Sequence, residues 1–351
     1  MELVVRAVDV GSGNTKYVKS ANGTAIECAS FPSIAYRSSG RAATWVGGER
    51  MRTMSIPVGD LYYDVGPDVG LAGDKFRTSQ LHDDYILTPE YLALLRGALR
   101  MMKVGHVDLL VVGLPVELVR LRRAALERLM VGEHDVGDGR TVTVAKALTV
   151  AQPQGALVHY ASMARKMKTI GKEISLVVDP GARTFDWVVC HGLKLIPQQS
   201  SSVSHGMSDV VKAVALDVSL ALGAPIRALD LIDLALRTGK APILFQKPYD
   251  LKRHMSVAEG VTAEAVSKMK EYVGDWEALQ NIILVGGAAF MYRKALKAAF
   301  PKHHIEELKE PMFANVRGFQ LAGDNYARGP ALASAAAVWP ACSSVPAGEE
   351  G

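Results

Sequence analysis

The chain has 351 residues, of which 49% are hydrophobic and 22% charged, and its formal net charge is +4. The length predicts two domains, and the composition is that of an ordinary globular protein. The weak positive charge, with no long run of Lys and Arg, argues against direct DNA binding. No apolar run reaches the ~18 residues that cross a bilayer, and the first residues do not resemble a signal peptide. Three isolated cysteines suit a reducing cytoplasm.

The first motif with chemical meaning follows a predicted strand. An apolar run at residues 3–10 predicts the strand, Asp9 lies near its end, and a glycine turn at 11–13 leads to a second extended segment from Lys16. This is strand–turn–strand, whereas a P-loop or a dinucleotide motif needs strand–turn–helix. Turn glycines point backbone N–H groups at an anion, Lys16 supplies a charge for phosphate, and Asp9 can hold Mg²⁺ through water. The alternative is a simple hairpin with a solvated lysine.

The middle of the chain continues an α/β pattern. Short strands and loops are expected at residues 38–87, and Thr88 is the predicted N-cap of a helix with Pro89 in its first position. The elements predicted next are a strand at 107–112, a helix at 116–130, a hairpin loop at 132–140, a strand at 142–150 and a helix at 155–168.

Two glutamines lie between that last strand and helix. Gln152 or Gln154 can supply a neutral amide that orients a water for in-line attack on a phosphate. Hydrogen bonding within the turn is the alternative for at least one of them.

The pattern then restarts with a strand at 174–178 that ends at Asp179. Asp179 is predicted to order Mg²⁺ or the attacking water, and Gly181 and Thr184 to donate hydrogen bonds to a terminal phosphate. Asp186, in the following strand, is predicted to anchor the hairpin. The two Asp-x-Gly turns lie about 170 residues apart, which is one domain length. Two such hairpins could grip a phosphate chain from both sides.

A second glycine turn follows a later strand. Gly286 and Gly287 offer a surface without side chains that could lie against adenine or ribose, and the alternative is a turn that simply needs glycine. The other elements predicted in this half are strands at 193–198 and 281–285, helices at 206–222, 226–237, 263–273, 289–300 and 327–338, and a disordered tail at 343–351.

Other motifs are incomplete. Gly239 and Lys240 lack the first glycine of a P-loop, and the serine-rich segment 200–205 lacks the Gly-x-Ser-x-Gly elbow. His303 and His304 lack a third ligand at metal spacing.

In this order the motifs resemble those of the actin/Hsp70/sugar-kinase superfamily over nearly the whole chain. The matching segments are residues 9–16 and 179–186 for two phosphate loops, 152–160 for a connecting helix and 283–288 for an adenosine motif. Residues 112–115 and 313–319 are similar to the ParM/StbA family of plasmid-segregation actins, and within it to the PRTRC system protein D group.

The resemblance implies a duplicated, two-domain α/β fold of the actin type with a nucleotide in the cleft between domains. Domain I would cover residues 1–165 and be completed by a C-terminal helix at about 326–340, and domain II would cover 166–325. Pro180 replaces the usual aliphatic residue and removes an N–H donor, which affects hydrolysis more than nucleotide binding.

The resemblance also assigns roles to individual residues. Asp9 and Asp179 would bind Mg²⁺ through water and would contact the water that attacks ATP. Gln152 would orient that attacking water. Gln154 stays open because the match around Pro153 is loose. The residues implied to contact ATP or ADP are Gly11, Ser12, Gly13, Asn14, Thr15, Lys16, Pro180, Gly181, Ala182, Arg183, Thr184, Gly206, Gly286, Gly287 and Ala288.

The implied function is a Mg-ATP-dependent ATPase that polymerises head to tail into filaments and segregates plasmid DNA in the bacterial cytoplasm. A separate DNA-binding adaptor would be its partner, with no membrane contact and no direct DNA contact. One alternative is a small-molecule kinase on the same fold, which needs a second pocket and a base beside the γ-phosphate. Another is a nucleotide-sensing scaffold that does not hydrolyse, for which Pro180 leaves room.

Overall fold

The computed structural model describes residues 3–23, 25–38, 51–71, 85–274 and 276–328. The predicted tail, Cys342 and the part of the predicted last helix beyond residue 328 lie outside these residues. Parts of the predicted loop region at 38–87 also lie outside them.

The first helix begins at the cap that the sequence predicts. Thr88 accepts a hydrogen bond from the Tyr91 N–H at 3.3 Å and Pro89 is the first helical residue, which confirms the predicted start of the first helix. The helices of the described residues are α1 Pro89–Met101, α2 Val116–Met130, α3 Gln152–Met163, α4 Met207–Leu222, α5 Leu229–Thr238, α6 Met255–Val273, α7 Ala289–Ala299 and α8 Ala314–Arg328.

The strands fall into two series along the chain. The first series is β1 Val5–Val10, β2 Asn14–Asn22, β3 Ala25–Pro32, β4 Tyr36–Ser38, β5 Met54–Val58, β6 Leu61–Val65, β7 His106–Val107, β8 Leu109–Leu114, β9 Gly132–Asp135, β10 Thr141–Val144 and β11 Ala147–Ala151. The second series is β12 Ile174–Pro180, β13 Phe185–His191, β14 Lys194–Leu195, β15 Ser201–Val203, β16 Ile243–Leu244, β17 Lys247–Pro248, β18 Asn281–Leu284 and β19 Ile305–Glu307.

The described chain divides into two compact units. Unit 1 takes the described residues of Met1–Val10, then Thr15–Val158 and 316–328, whereas unit 2 takes Gly11–Asn14 and His159–Asn315. The divisions therefore fall inside the first β-hairpin and inside α3 and α8. The domain limits expected from the sequence, at 165 and near 325, stay predictions.

Each unit is built on a five-strand path with the same order. In unit 1 the order is β11-β8-β1-β2-β3, and in unit 2 it is β19-β18-β12-β13-β14 with β15 added beside β13. In both, the first strand pairs antiparallel with the second and parallel with a later one. The predicted duplication is thus present in the topology, and the expected actin-like α/β fold is confirmed below by comparison.

Apolar strands explain where the two cores lie. All six residues of β8 are buried, as expected for a central parallel strand with both faces covered. In unit 2, Phe185 of β13 stacks on Tyr292 of α7 with ring centroids 5.0 Å apart, and Trp187 is fully buried beside them. Each such side chain contributes roughly 2–3 kcal/mol of hydrophobic stabilisation, so the aromatic cluster fixes β13 on its helices.

Several predicted elements have different limits in the structure. The strand expected at 142–150 is two strands, β10 and β11, which belong to different sheets. The break lies at residues 145 and 146, and Lys146 Nζ donates to the Tyr326 hydroxyl at 2.6 Å. The strand expected at 193–198 is short because Pro197 begins a 3-10 turn.

Three helices begin earlier than expected. α3 begins at Gln152 instead of 155, α6 at Met255 instead of 263, and the helix expected from 327 begins at Ala314. No helix in the described part of the chain combines the length and apolar character needed to cross a membrane.

Candidate functional site

The first hairpin connects β1 to β2 through a short turn. Asp9 lies opposite Lys16 across the two strands, and the Gly11 N–H donates to the Asn14 carbonyl at 3.2 Å to close the turn. Thr15 is buried and its hydroxyl pairs with that of Ser33 at 2.9 Å, so it packs inside the protein. The predicted strand–turn–strand motif is present.

The Asp9 carboxylate is buried and contacted at both oxygens. Lys16 Nζ donates to Oδ2 at 2.8 Å, and the Gln152 side-chain amide donates to Oδ1 at 2.7 Å. Gln152 reaches Asp9 because it is the first residue of α3, directly after β11. Gln154 is buried in the same helical turn. The structure thus brings together Asp9, Lys16 and Gln152 within unit 1.

The second hairpin connects β12 to β13 and is closed in the same way. The Gly181 N–H donates to the Thr184 carbonyl at 2.8 Å, and Asp179 lies opposite Asp186 across the strands. The Thr184 hydroxyl donates to Asp186 Oδ2 at 2.5 Å, so that Asp186 is contacted from within its own hairpin. This contact supports the anchoring role predicted for Asp186.

Asp179 lies in a corner formed by two other segments. The Asn315 side-chain amide donates to Asp179 Oδ2 at 2.6 Å. Gly286 has a φ of +88°, and a Cβ atom there would overlap Asp179 Oδ1 and the Pro180 carbonyl. This position therefore requires glycine for both its conformation and its space.

Backbone hydrogen bonds hold the same corner together. The Gly286 N–H donates to the Pro311 carbonyl and the Ala288 N–H to the Pro180 carbonyl, both at 3.0 Å. Within unit 2 these contacts bring the predicted residues Asp179, Pro180, Gly286 and Ala288 together.

The tip of the first hairpin is part of unit 2 and approaches the second turn. A Cβ atom on Gly13 would lie 2.6 Å from the Ala182 Cβ, which explains glycine at this position. Of the other turn residues, Ser12 and Arg183 are half-buried and Asn14 is exposed.

The second turn is also attached to the beginning of α4. Gly206, Met207 and Ser208 donate their N–H groups to the carbonyls of residues 183, 181 and 182, at 2.8–3.0 Å. The first N–H groups of a helix have no partner within the helix, and here the turn supplies one for each of these three. The Gly206 N–H is consequently used by the protein itself, and its predicted contact with nucleotide stays a prediction.

Arg237 of α5 is a neighbour of the glycine turn that sequence reasoning missed. Its Nη1 donates to the Gly287 carbonyl at 2.7 Å, while its Nε donates to Asp233 at 2.8 Å. Its guanidinium lies 5.6 Å from the centroid of the Phe290 ring. No sequence motif marks an arginine that reaches the turn from a helix about 50 residues earlier.

Buried tyrosines next to the two hairpins keep their protons. Burial raises the pKa of Tyr91 above its ordinary range, and the nearby Asp9 carboxylate adds to the shift. Burial also raises the pKa of Tyr292, with a smaller contribution from Asp209. The Tyr292 hydroxyl donates to the His205 carbonyl, directly before Gly206. Both tyrosines are therefore neutral hydroxyl groups at physiological pH.

The described residues offer oxygen ligands but not a ready metal cluster. Among them, no group of three or more His, Cys, Asp or Glu is placed to hold a metal ion. Carboxylates that bind Mg²⁺ typically leave it several waters, so one or two carboxylates per ion suffice. Asp9 in unit 1 and Asp179 in unit 2 are each a carboxylate of this kind.

Comparison with known families agrees with the duplicated topology. Residues 7–155 match the family of actin-like proteins, N-terminal domain, and residues 177–298 match the archaeal actin homologue MreB-like, C-terminal. With the fold described above, these matches show that the chain belongs to the actin-like proteins. The resemblance that the sequence motifs predicted is confirmed at this level.

Solved structures with the same fold are distant in sequence. An archaeal actin homologue in complex with ADP is 18% identical, with a TM-score of 0.72 over 92% of this chain and 100% of that one. The apo ParM protein of psk41 is 18% identical, with a TM-score of 0.70 over 93% and 98%. A 15-stranded ParM filament from Clostridium botulinum is 18% identical, with a TM-score of 0.73 over 93% and 100%. No curated protein matches the chain.

Proposed function

We propose that this actin-like protein binds and hydrolyses Mg-ATP and assembles head to tail into filaments, with plasmid DNA segregation in the bacterial cytoplasm as its role. The main support is the pair of like hairpins, in each of which a carboxylate at the end of a central strand is held by a side-chain amide. The ADP complex of the archaeal homologue and the ParM filament support nucleotide binding and assembly by analogy.

The residues divide the chemistry between the two hairpins. Lys16 would leave Asp9 to contact a phosphate. Backbone N–H groups of the two turns other than those of Gly11 and Gly181, which close the turns, would donate to phosphate oxygens. The Gln152 amide would orient the attacking water without acting as a strong base. Mg²⁺, when bound, neutralises charge on the phosphates, and the Asp9 and Asp179 carboxylates would hold it through water.

The proposed filament would form through a contact between one copy of the chain and the next. A head-to-tail contact that does not close into a ring produces a filament. Loss of the γ-phosphate would change the conformation and weaken the contact, as in other nucleotide switches. A separate DNA-binding adaptor would connect the filament to its cargo, since the net charge of +4 does not favour direct DNA binding.

The test is an assembly and turnover assay on the purified chain. Light scattering, pelleting and phosphate release are followed together with Mg-ATP, Mg-ADP, a non-hydrolysable ATP analogue or no nucleotide. The proposal expects assembly with ATP that decays as phosphate appears, and assembly that persists with the analogue. An Asp179→Ala variant should bind ATP and release phosphate at least about a hundredfold more slowly.

The other outcomes separate the alternatives. Turnover without assembly, stimulated by a sugar or an acid, would favour the small-molecule kinase. ATP binding without phosphate release, unaffected by Asp179→Ala, would favour the nucleotide-sensing scaffold. Either result would contradict the filament-forming ATPase.

A further inference from the structure

Asn315 contacts the candidate site although no sequence motif assigned it a role. Its Nδ2 donates to Asp179 Oδ2 at 2.6 Å, and the residue is only 6% exposed. A carboxylate can only accept, which fixes the orientation of the amide. We propose that Asn315 is a positioning residue for Asp179 and the unit 2 counterpart of Gln152. This inference rests on the proposed ATPase function.

The repeated topology supports the correspondence. β11 and β19 occupy the same place in their sheets, and each is followed by a helix, α3 or α8. Gln152 is the first residue of α3 and Asn315 the second of α8, and each amide donates to the aspartate at the end of the central strand of its sheet.

A glycine lies three residues after each amide, at Gly155 and Gly318. A Cβ atom on Gly318 would overlap the backbone of Gly155, so the two helices touch through these glycines inside unit 1. The duplicated element is thus an amide followed by a close-packed glycine, with Gln in one copy and Asn in the other.

A second buried asparagine in unit 2 shows what a purely structural amide looks like. Asn281, also 6% exposed, has both ends paired: Oδ1 accepts from Tyr160 and Lys166, and Nδ2 donates to Glu173 and Ser175. Asn315 differs, because among the residues that the structure describes no donor reaches its buried Oδ1.

A buried polar atom without a partner costs roughly 1–3 kcal/mol. Gln320 Oε1, in the same helix, is likewise buried without a partner among the described residues, so an unpaired atom does not by itself mark a site. The role of Asn315 follows from its contact with Asp179.

The geometry defines what Asn315 contributes. Its amide holds Oδ2 of Asp179 while Gly286 lies against Oδ1, so the carboxylate is restrained on both sides. The amide that donates to Asp179 is uncharged, whereas Asp9 accepts from the Lys16 ammonium. A displacement of about 1 Å in a reacting group can reduce the rate a hundredfold, which makes such a restraint catalytically useful.

Two variants test the role. Asn315→Ala removes the donor without adding charge, and phosphate release should slow about tenfold or more while the ATP dissociation constant changes less than about threefold. Asn315→Asp replaces the donor by a second carboxylate against Asp179, so the contact becomes a repulsion between like charges. Turnover of this variant at saturating Mg-ATP should fall at least as far as that of Asn315→Ala.

Asn281→Asp is the matched control. It makes the same change in an equally buried asparagine that donates to a carboxylate, Glu173, at 2.7 Å. This variant should lose stability, yet the folded fraction should keep the wild-type turnover.

The outcomes separate the two proposals. An active wild type together with unchanged turnover in both Asn315 variants would overturn the positioning role and leave the ATPase standing. An inactive wild type would overturn both. If both Asn315 variants bind ATP more than about tenfold more weakly with unchanged maximal turnover, Asn315 is a binding residue instead and the positioning role is wrong.

Discussion

The two hairpins share a backbone design but differ in charge. Both carry an aspartate at the end of a buried strand, a glycine N–H that closes the turn and an amide donor from the first turn of a helix. Opposite the aspartate, the first hairpin has Lys16 and the second has Asp186. The residue opposite the aspartate is thus a cation in the first hairpin and a second carboxylate in the second.

This difference indicates how a duplicated fold can divide the work of one reaction. A cation beside Asp9 suits contact with phosphate oxygens, and a restrained carboxylate at Asp179 suits a metal-bound or attacking water. The same kinds of backbone hydrogen bond and amide donor stabilise both hairpins. The charge of each hairpin can therefore be changed by substituting the single residue that lies opposite its aspartate. Variants can therefore break the shared framework or the charge difference separately.

The largest loss of stability is expected at the close backbone contact between the two helices that carry the amide donors. Gly318→Ala puts a Cβ atom into the backbone of Gly155, and neither helix can move without displacing Gln152 or the start of α8. We expect a loss of about 4 kcal/mol in the free energy of unfolding, measured by urea denaturation.

The matched control for Gly318→Ala is another helical glycine. Gly260 in α6 is exposed, and a Cβ atom there would meet nothing within 4 Å. Gly260→Ala should stabilise the chain by about 0.5–1 kcal/mol through helix propensity. Equal effects of the two substitutions would contradict the proposed helix contact.

The backbone of both hairpins could be predicted from the sequence because it depends on local signals. Apolar runs that end at Asp9 and Asp179, followed by glycine turns, are patterns that a single sequence displays. Gln152 was among the predicted residues because it directly follows a predicted strand. Its contact with Asp9 required the parallel pairing of β11, β8 and β1, which the sequence pattern does not specify.

The contacts of Asn315 and Arg237 could not be found in this way, because each reaches its partner from a distant segment. Arg237 lies in no motif, and the resemblance of residues 313–319 to the ParM/StbA family assigned no role to Asn315. The role of Gly318 could not be predicted either, because the need for glycine inside a helix becomes visible only when the position of the facing backbone is known. The missed residues are therefore those whose role depends on tertiary contacts.

A smaller effect, specific to the first hairpin, is expected for Lys16→Ala. The Asp9 carboxylate, which is 1% exposed, would lose its ion pair and keep the Gln152 amide, so the free energy of unfolding should fall by about 2 kcal/mol. The ATP dissociation constant should rise about tenfold, with little change for adenosine, since the lost charge faces phosphate.

Lys19→Ala is the control for that change. Lys19 lies on the same strand and pairs with Glu27, but both side chains are exposed. Its loss should change the free energy of unfolding by less than about 1 kcal/mol and leave ATP affinity unchanged. If Lys16→Ala weakened adenosine and ATP equally, the charge would not be acting on phosphate.

The smallest effect is expected at the residue that makes the second hairpin different. Asp186→Asn keeps the shape of the side chain and an oxygen that can accept from the Thr184 hydroxyl. Stability should fall by about 1 kcal/mol or less, and ATP turnover and its Mg²⁺ dependence should stay within about threefold of the wild type. A rise of tenfold or more in the Mg²⁺ concentration for half-maximal turnover would make Asp186 part of the metal site. The charge difference between the hairpins would then act through Asp186 itself, and the anchoring role supported by the Thr184 contact would be wrong.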